Sequence, residues 1–274
     1  WMDGWESRRK RISGHDYLII KLGKPGSIRK INIDTSYFNG NQPSKVSLEG
    51  CYSKLNDFKK FNWKSLIGKK KIKANSHHFF YSSSKKVFTH VKLNIFPDGG
   101  VARLRLYGNI SKENNNFKNK KINLASLLNG ASVIACNNEH FGKAENILAP
   151  GKAMNMGDGW ETRRRRDKGF DWLILNSIKG KMINKIEIST HHFKGNYPSH
   201  CSLQAAYIAN KKSSSIIVKS SIKWKFLLNK VKLSANKTHK FNNKLMKNDK
   251  INYIRINIFP DGGISRFKIF GQSI

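Results

Sequence analysis

"MDGWESRR" at residues 2–9 returns as "GDGWETRR" at residues 157–164, and this duplication decides the architecture. A repeat of this kind means one structural unit built twice. Asp3 matches Asp158 and Asp16 matches Asp171, both at an offset of 155. The register continues through "INIDTSYFNGNQPSKVSLEG" (31–50) against "IEISTHHFKGNYPSHCSLQA" (186–205), which pairs Phe38 with Phe193, Asn41 with Asn196 and Pro43 with Pro198. "ANSHHFF" (74–80) then meets "ANKTHKF" (235–241) at an offset of 161, and "NIFPDGGVARLRLYG" (94–108) meets "NIFPDGGISRFKIFG" (257–271) at 163. The eight extra residues of the second copy fall mostly in "YIANKKSSSIIVKSS" (207–221), whose Ser, Lys and Asn content reads as a loop that tolerates insertion.

The 274 residues therefore divide into two repeats, 1–109 and 124–274, each long enough to enclose a core. Between them, 110–123 reads as a linker, because "SKENNNFKNKK" carries charge and Asn without apolar periodicity. Within each copy apolar residues alternate over short runs: Ile31 and Ile33, then Val91, Leu93 and Ile95, then Leu104 and Leu106. Period two over such lengths predicts strands with one buried face. "FPDGG" (96–100 and 259–263) places Pro and two Gly where the chain must reverse. The expected fold is all-β, two tandem antiparallel sandwiches or jelly rolls. Helix is scarce, and "NLASLLNG" (123–130) is the best candidate for a short one.

A formal net charge of +35 suggests an anionic partner and, at low salt, retention on polyanions. The Lys runs do not recur between copies while the Arg pairs do, so most of this charge reads as solvated loop lysine. No RNP or zinc-finger signature points to specific nucleic-acid binding. Cys51, Cys136 and Cys201 form no CxxC and have no Cys counterpart in the other copy, so neither a disulfide framework nor a zinc site is encoded. No apolar run approaches membrane-spanning length, and a soluble, cytoplasmic protein is expected.

Candidate chemistry lies in the recurrent polar motifs. In an extended segment Glu6 and Arg8 share a face, as do Glu161 and Arg163, while Arg9 and Arg164 point away. Two readings stay open: an ion pair that pins the strand, or a carboxylate acid or base beside a guanidinium that grips an anionic substrate. The "FxGNxP" turns offer Asn41 and Asn196 either as turn formers or as ligand amides. Asp98 with Arg103, and Asp261 with Arg266, place opposite charges near one loop end. His78 and His239 are duplicated and read as satisfied structural residues. His191 and His192 replace Ser36 and Tyr37; on a strand they would face opposite ways and could not share a metal. Residues 133–156 have no counterpart in the first copy, because the chain starts almost at its "DGWE" motif: either the sequence is truncated there or the first repeat has lost a strand, which would unpair a sheet edge. This stretch supplies Glu139, Glu145 and Asn146, expected to return toward Glu161 and Arg163.

Taken together, both "DGWE[ST]RR" copies, "ENILAPGKAMNMGDGWETRRRR" (145–166), both "FxGNxP" turns and both "FPDGG" turns closely resemble the allantoicase family over nearly the whole chain. The resemblance implies two jelly-roll repeats related to galactose-binding-like and discoidin-like sandwiches, homo-oligomeric assembly, and hydrolysis of allantoate to ureidoglycolate and urea. Allantoate carries a carboxylate and two ureido groups on one carbon, so its site needs guanidinium, amide and carboxylate partners. On that basis Glu161, with Glu139 or Glu145, is assigned acid or base work, and Arg163 and Arg164 the substrate carboxylate. Asn196 and Asp261 are assigned ureido contacts, with Asn146, His192 and Arg266 as further substrate contacts. The first-repeat equivalents are Glu6, Arg8, Arg9, Asn41, Asp98 and Arg103. No cofactor is expected, and no ligand motif supports a divalent metal. The competing class is a non-catalytic sandwich that binds carbohydrate or an anionic polymer.

Overall fold

The computed structural model describes residues 2–55, 57–111, 120–210, 212–247 and 249–274. The chain forms two units, Trp1–Asn115 and Asn116–Ile274. The strands of the first unit are β1 (Trp5–Glu6), β2 (Asp16–Asp34), β3 (Lys45–Cys51), β4 (Lys64–Lys71), β5 (His77–Tyr81), β6 (Phe88–Phe96), β7 (Gly100–Val101) and β8 (Arg103–Ile110). Those of the second are β9 (Lys121–Asn123), β10 (Ser132–Cys136), β11 (Trp160–Glu161), β12 (Asp171–Ser189), β13 (His200–Ala206), β14 (Lys225–Lys232), β15 (Thr238–Phe241), β16 (Lys250–Phe259), β17 (Gly263–Ile264) and β18 (Arg266–Ser273). Among the described residues one α-helix, α1 (Ser214–Ser221), occurs, between β13 and β14.

A 19-residue strand organises each unit. The first half of β12 pairs with β16 and β10, and its second half with β18 and β15, with register shifts between. β2 does the same with β6, then with β8 and β5. All pairings are antiparallel, in the orders β4-β3-β6-β2-β5 and β14-β13-β16-β12-β18-β9. One bent strand thus belongs to two layers, the arrangement of a jelly roll, and alternate side chains of both layers meet in the core. Ile186 and Ile188 are fully buried, with Leu173, Leu175, Ile254, Ile256 and Ile258. Burying each such side chain contributes about 1.5–3 kcal/mol.

The recurrent turns dock on each other. Gly263 N–H donates to the Asn196 carbonyl at 2.8 Å, and Gly100 N–H to that of Asn41 at the same distance. A Cβ at Gly263 would overlap the Phe193 ring, and one at Gly100 the Phe38 ring. The second Gly of "FPDGG" is thus fixed by close approach of an aromatic side chain.

Three expectations need correction. The segment 207–221 carries α1, because Ile217 finds a buried cluster with Ile174 and Tyr253 on the outer face of the sheet. Conversely, 123–130 yields only a 3₁₀ turn, Leu127–Asn129, closed by Gly130 at φ 96°. In the linker, 112–119 lie outside the described residues, but Lys121–Asn123 pair with β18. Among the described residues, Asp16–Lys21 of β2 have β6 on one side and no strand on the other. In consequence Leu18 is 37% exposed, while its counterpart Leu173 is fully buried under β10.

Candidate active site

Trp160 anchors the second copy of the opening motif. It is fully buried, and its indole N–H donates to the Asn138 carbonyl at 2.8 Å. Burial then alternates: Thr162 faces inward with Trp160, while Glu161 and Arg163 share the outward side. Asn196 donates its amide N–H to Glu161 Oε1 and lies against Met156 Sδ. In the first unit Asn41 donates to Glu6 Oε1 at 2.8 Å and lies against Met2 Sδ. The recurrent "FxGNxP" Asn thus orients the recurrent Glu, leaving that Asn amide less free for a ligand.

The "FPDGG" aspartates are not partners of the arginines that follow them. Asp261 accepts the Arg165 backbone N–H at 2.8 Å, and Asp98 that of Lys10 at 2.6 Å. Arg266 is buried and pairs with Asp158 at 2.7 Å; Arg103 pairs with Asp3 at 2.5 Å. Each Asp closes a crossing between distant segments, and each Arg ties the opening motif to the last strand. Asp98, Arg103, Asp261 and Arg266 therefore hold the fold at this end, the arginines being already matched to carboxylates.

Arg163, Arg164 and Arg166 differ. Together with Arg165, Asn138, Phe141 and Asp167 they line a cleft of 770 Å³. Arg165 is committed to Asp171 and Asp167, both at 2.6 Å. Among the described residues, the other three guanidinium groups form no ion pair. Arg163 is positioned through its backbone N–H, which donates to Asn138 Oδ1 at 3.1 Å. Arg8, Arg9 and Arg11 line the matching first-unit cleft of 500 Å³. Arg165, Asp171 and Asn138 were missed from the sequence, although the recurrence of Asp16 as Asp171, with a cation six residues before each, was a usable signal.

The stretch unique to the second copy does approach Glu161, through its backbone. Phe141 N–H donates to the Glu161 carbonyl at 3.1 Å, and Glu161 N–H to that of Gly142 at 3.2 Å. Its carboxylates turn elsewhere. Glu139 binds Lys143 at 2.7 Å and the Ala144 N–H at 3.1 Å, which holds its pKa below the usual range. Glu145 sits exposed in the 3₁₀ turn Ala144–Leu148. The Asn146 amide is spent on the Gly157 and Gly159 carbonyls at 3.2 and 3.1 Å.

The histidines are structural or lie in turns. His191 and His192 occupy a turn, not a strand, with His192 at φ 72° and its Nε2 2.9 Å from the Ala153 carbonyl oxygen. Among the described residues no group of three or more His, Cys, Asp or Glu is placed to hold a metal. His239 accepts the Ser234 N–H at Nε2 (2.9 Å), so its proton sits on Nδ1, facing the Ile188 carbonyl at 3.3 Å; His78 repeats this at Lys73 and Ile33. Burial lowers the His239 pKa. The folded state then resists protonation more than the unfolded chain does. Its stabilisation is complete above the unfolded value of about 6.5 and is lost as pH falls through the folded value. Denaturant unfolding should show lower stability at about pH 5.5 than at about pH 7.5, and His239→Gln should shrink that difference. An unchanged difference would remove His239 as its source.

Fold and site together define a tandem jelly-roll protein in which the opening motif of each repeat carries an amide-oriented carboxylate and arginines that form no ion pair among the described residues. The family model of the allantoicase repeat matches residues 1–111 and 122–274, and the chain belongs to the allantoicase family. It is 45% identical over 272 residues to a probable allantoicase of Acinetobacter baumannii strain AYE, covering 99% of this chain and 80% of that relative. A probable allantoicase of Photobacterium profundum is 44% identical over 273 residues, covering 99% and 82%. The crystal structure of allantoicase from Saccharomyces cerevisiae superposes with a TM-score of 0.80 at 32% identity, over 98% of this chain and 81% of that one.

Proposed function

We propose that the chain hydrolyses allantoate to ureidoglycolate and urea on the outward face of the second unit. The observation that carries this reading is that Glu161, oriented by the Asn196 amide, shares the outward side of its segment with Arg163, whose guanidinium forms no ion pair among the described residues. Arg163 and Arg164 bind the substrate carboxylate, a charge-assisted contact that fixes the reacting carbon. Asn196 holds one oxygen of Glu161 and leaves the other for the substrate.

One carboxylate suffices as a proton relay. Glu161 takes the N–H proton of the retained ureido group and passes it to the nitrogen of the departing one. The C–N bond breaks, urea leaves, and an imine remains. Water then adds to the imine carbon, with its proton carried by Glu161 to the imine nitrogen. Substrate and water equal the two products, and Glu161 ends ionised as it began. Glu139 is left out of this scheme because Lys143 and the Ala144 N–H occupy it.

Three free cysteines, with the Cys136 thiol raised to about 11 and the Cys201 thiol to about 12 by burial, support a reducing, cytoplasmic setting and a structural role for the thiols. Among the described residues no helix is long and apolar enough to cross a membrane.

Purified protein should release urea from allantoate in a coupled assay. Arg163→Ala should raise KM about tenfold or more with a smaller change in kcat, because the carboxylate is gripped in ground and transition states alike. Absence of urea release, with sugar or heparin binding in its place, would transfer the chain to the class of non-catalytic binding sandwiches.

A further inference from the structure

The layer that the second half of β2 forms with β5 and β8 and the one that the second half of β12 forms with β15 and β18 differ in charge on their outer faces. In the first unit, Asp34 is buried with its carboxylate 2.9 Å from Arg105 and 3.6 Å from His77, and it accepts the Ser36 N–H and hydroxyl at 2.9 and 2.6 Å. The cleft around it, 450 Å³, has Asp3 and Asp34 set against Arg103 and Arg105. This cleft carries its own carboxylate. At the matching positions of the second unit, Ser189 stands for Asp34, Lys268 for Arg105, and Lys240 for Phe79.

The carboxylate at the Asp34 position is gone, Glu187 stands where the first unit has Asn32, and the cations lining the cleft have increased from two to four. A cleft of 370 Å³ between the Gly151–Ala153 loop and β12, β15 and β18 is lined by Lys152, Lys240, Arg266 and Lys268 against Glu187 alone. Glu187 is taken chiefly by Lys185 at 2.7 Å, with Lys268 at 3.9 Å. Lys152 and Lys240 form no ion pair among the described residues. Arg266, buried at the floor, keeps an unpartnered Nε despite its bond to Asp158. Ser189 and Thr238 add hydroxyls 3.2 Å apart, and Ser265 donates its hydroxyl to Ser189 Oγ at 3.0 Å. His192 tethers the covering loop through the Ala153 carbonyl.

We propose that this cleft binds a small carboxylate bearing N–H donors, whose carboxylate takes the place that Asp34 fills in the first unit. Lys240 and Lys268 neutralise it, the hydroxyls orient it, and Glu187 accepts from the N–H groups. The site is separate from Glu161 and Arg163 and does not depend on the reaction proposed there. Substrate and product of that reaction share this chemistry, as would an unrelated ureido acid.

Hydantoate, a carboxylate with one ureido group, is a stable probe for calorimetry. It should bind the wild-type chain and the Arg163→Ala/Arg164→Ala variant. In that Arg163→Ala/Arg164→Ala background, which removes carboxylate binding at the candidate active site, Lys240→Ala/Lys268→Ala should weaken hydantoate binding about tenfold or more, and Ser189→Asp, which restores the carboxylate of the first unit, should abolish it. The two lysines are solvent-accessible, so their replacement leaves the core untouched even if Ser189→Asp disturbs packing. Unchanged affinity in the folded lysine variant overturns the proposal. A rise in allantoate KM parallel to the hydantoate Kd identifies substrate as the ligand; an unmoved KM with lost hydantoate inhibition identifies product or an effector. Lysine-dependent hydantoate binding without urea release would leave this site standing and remove the catalytic reading alone.

Discussion

Glu161→Gln should lower kcat for urea release by about 10²- to 10⁴-fold, the usual scale for loss of a positioned acid–base group. The substitution is nearly isosteric and keeps an oxygen that can accept the Asn196 N–H, so the docked turns stay in place. What it removes is the charge that captures and returns a proton. Circular dichroism and melting temperature should therefore stay near wild type while turnover collapses. KM should move little, because Arg163 and Arg164 carry the substrate carboxylate. Glu6→Gln in the first unit is the internal comparison: its carboxylate has the same amide partner, at 2.8 Å, but the chemistry is assigned to the second unit, so turnover should change by less than about threefold. Near-normal kcat in Glu161→Gln would end the relay. An equal loss in Glu6→Gln would place working sites in both units.

The architecture was legible because its determinants are local or repeated. Alternation at Ile31, Ile33, Val91, Leu93 and Ile95 gave strands, and repetition gave two units. What could not be read was partnership across long sequence separations. Asp98 lies near Arg103 in the chain, yet it binds a backbone group 88 residues away, because docking of one turn on another decides which atoms meet. Helix α1 hid for a related reason: its composition is that of a loop, and its stability comes from burying Ile217 on a distant sheet face. Within the site, residue types were legible while their availability was not. Asn146 and Arg266 have suitable chemistry, but backbone carbonyls and Asp158 already engage them.

Trp160→Ala should destabilise the second unit by about 3–5 kcal/mol, and Trp5→Ala should cost the first unit distinctly less. The two tryptophans occupy the same motif, lie opposite Val101 and Ile264 in equivalent two-residue strand pairs, and differ in what covers them. Trp160 is fully enclosed beside Ala144, Ile147 and Leu148, and its truncation removes a large apolar surface while leaving the Asn138 carbonyl without its indole donor. Trp5 is only half-buried at the edge of its core, where no such segment lies among the described residues. A side chain already in partial contact with water loses less when removed, because the transfer and cavity contributions are both smaller. Since the units need not unfold together, hydrogen exchange resolved to β17 and β18 against β7 and β8 is the appropriate measure. Equal losses of protection in the two variants would mean that the segment 133–148 adds nothing to the core of the second unit.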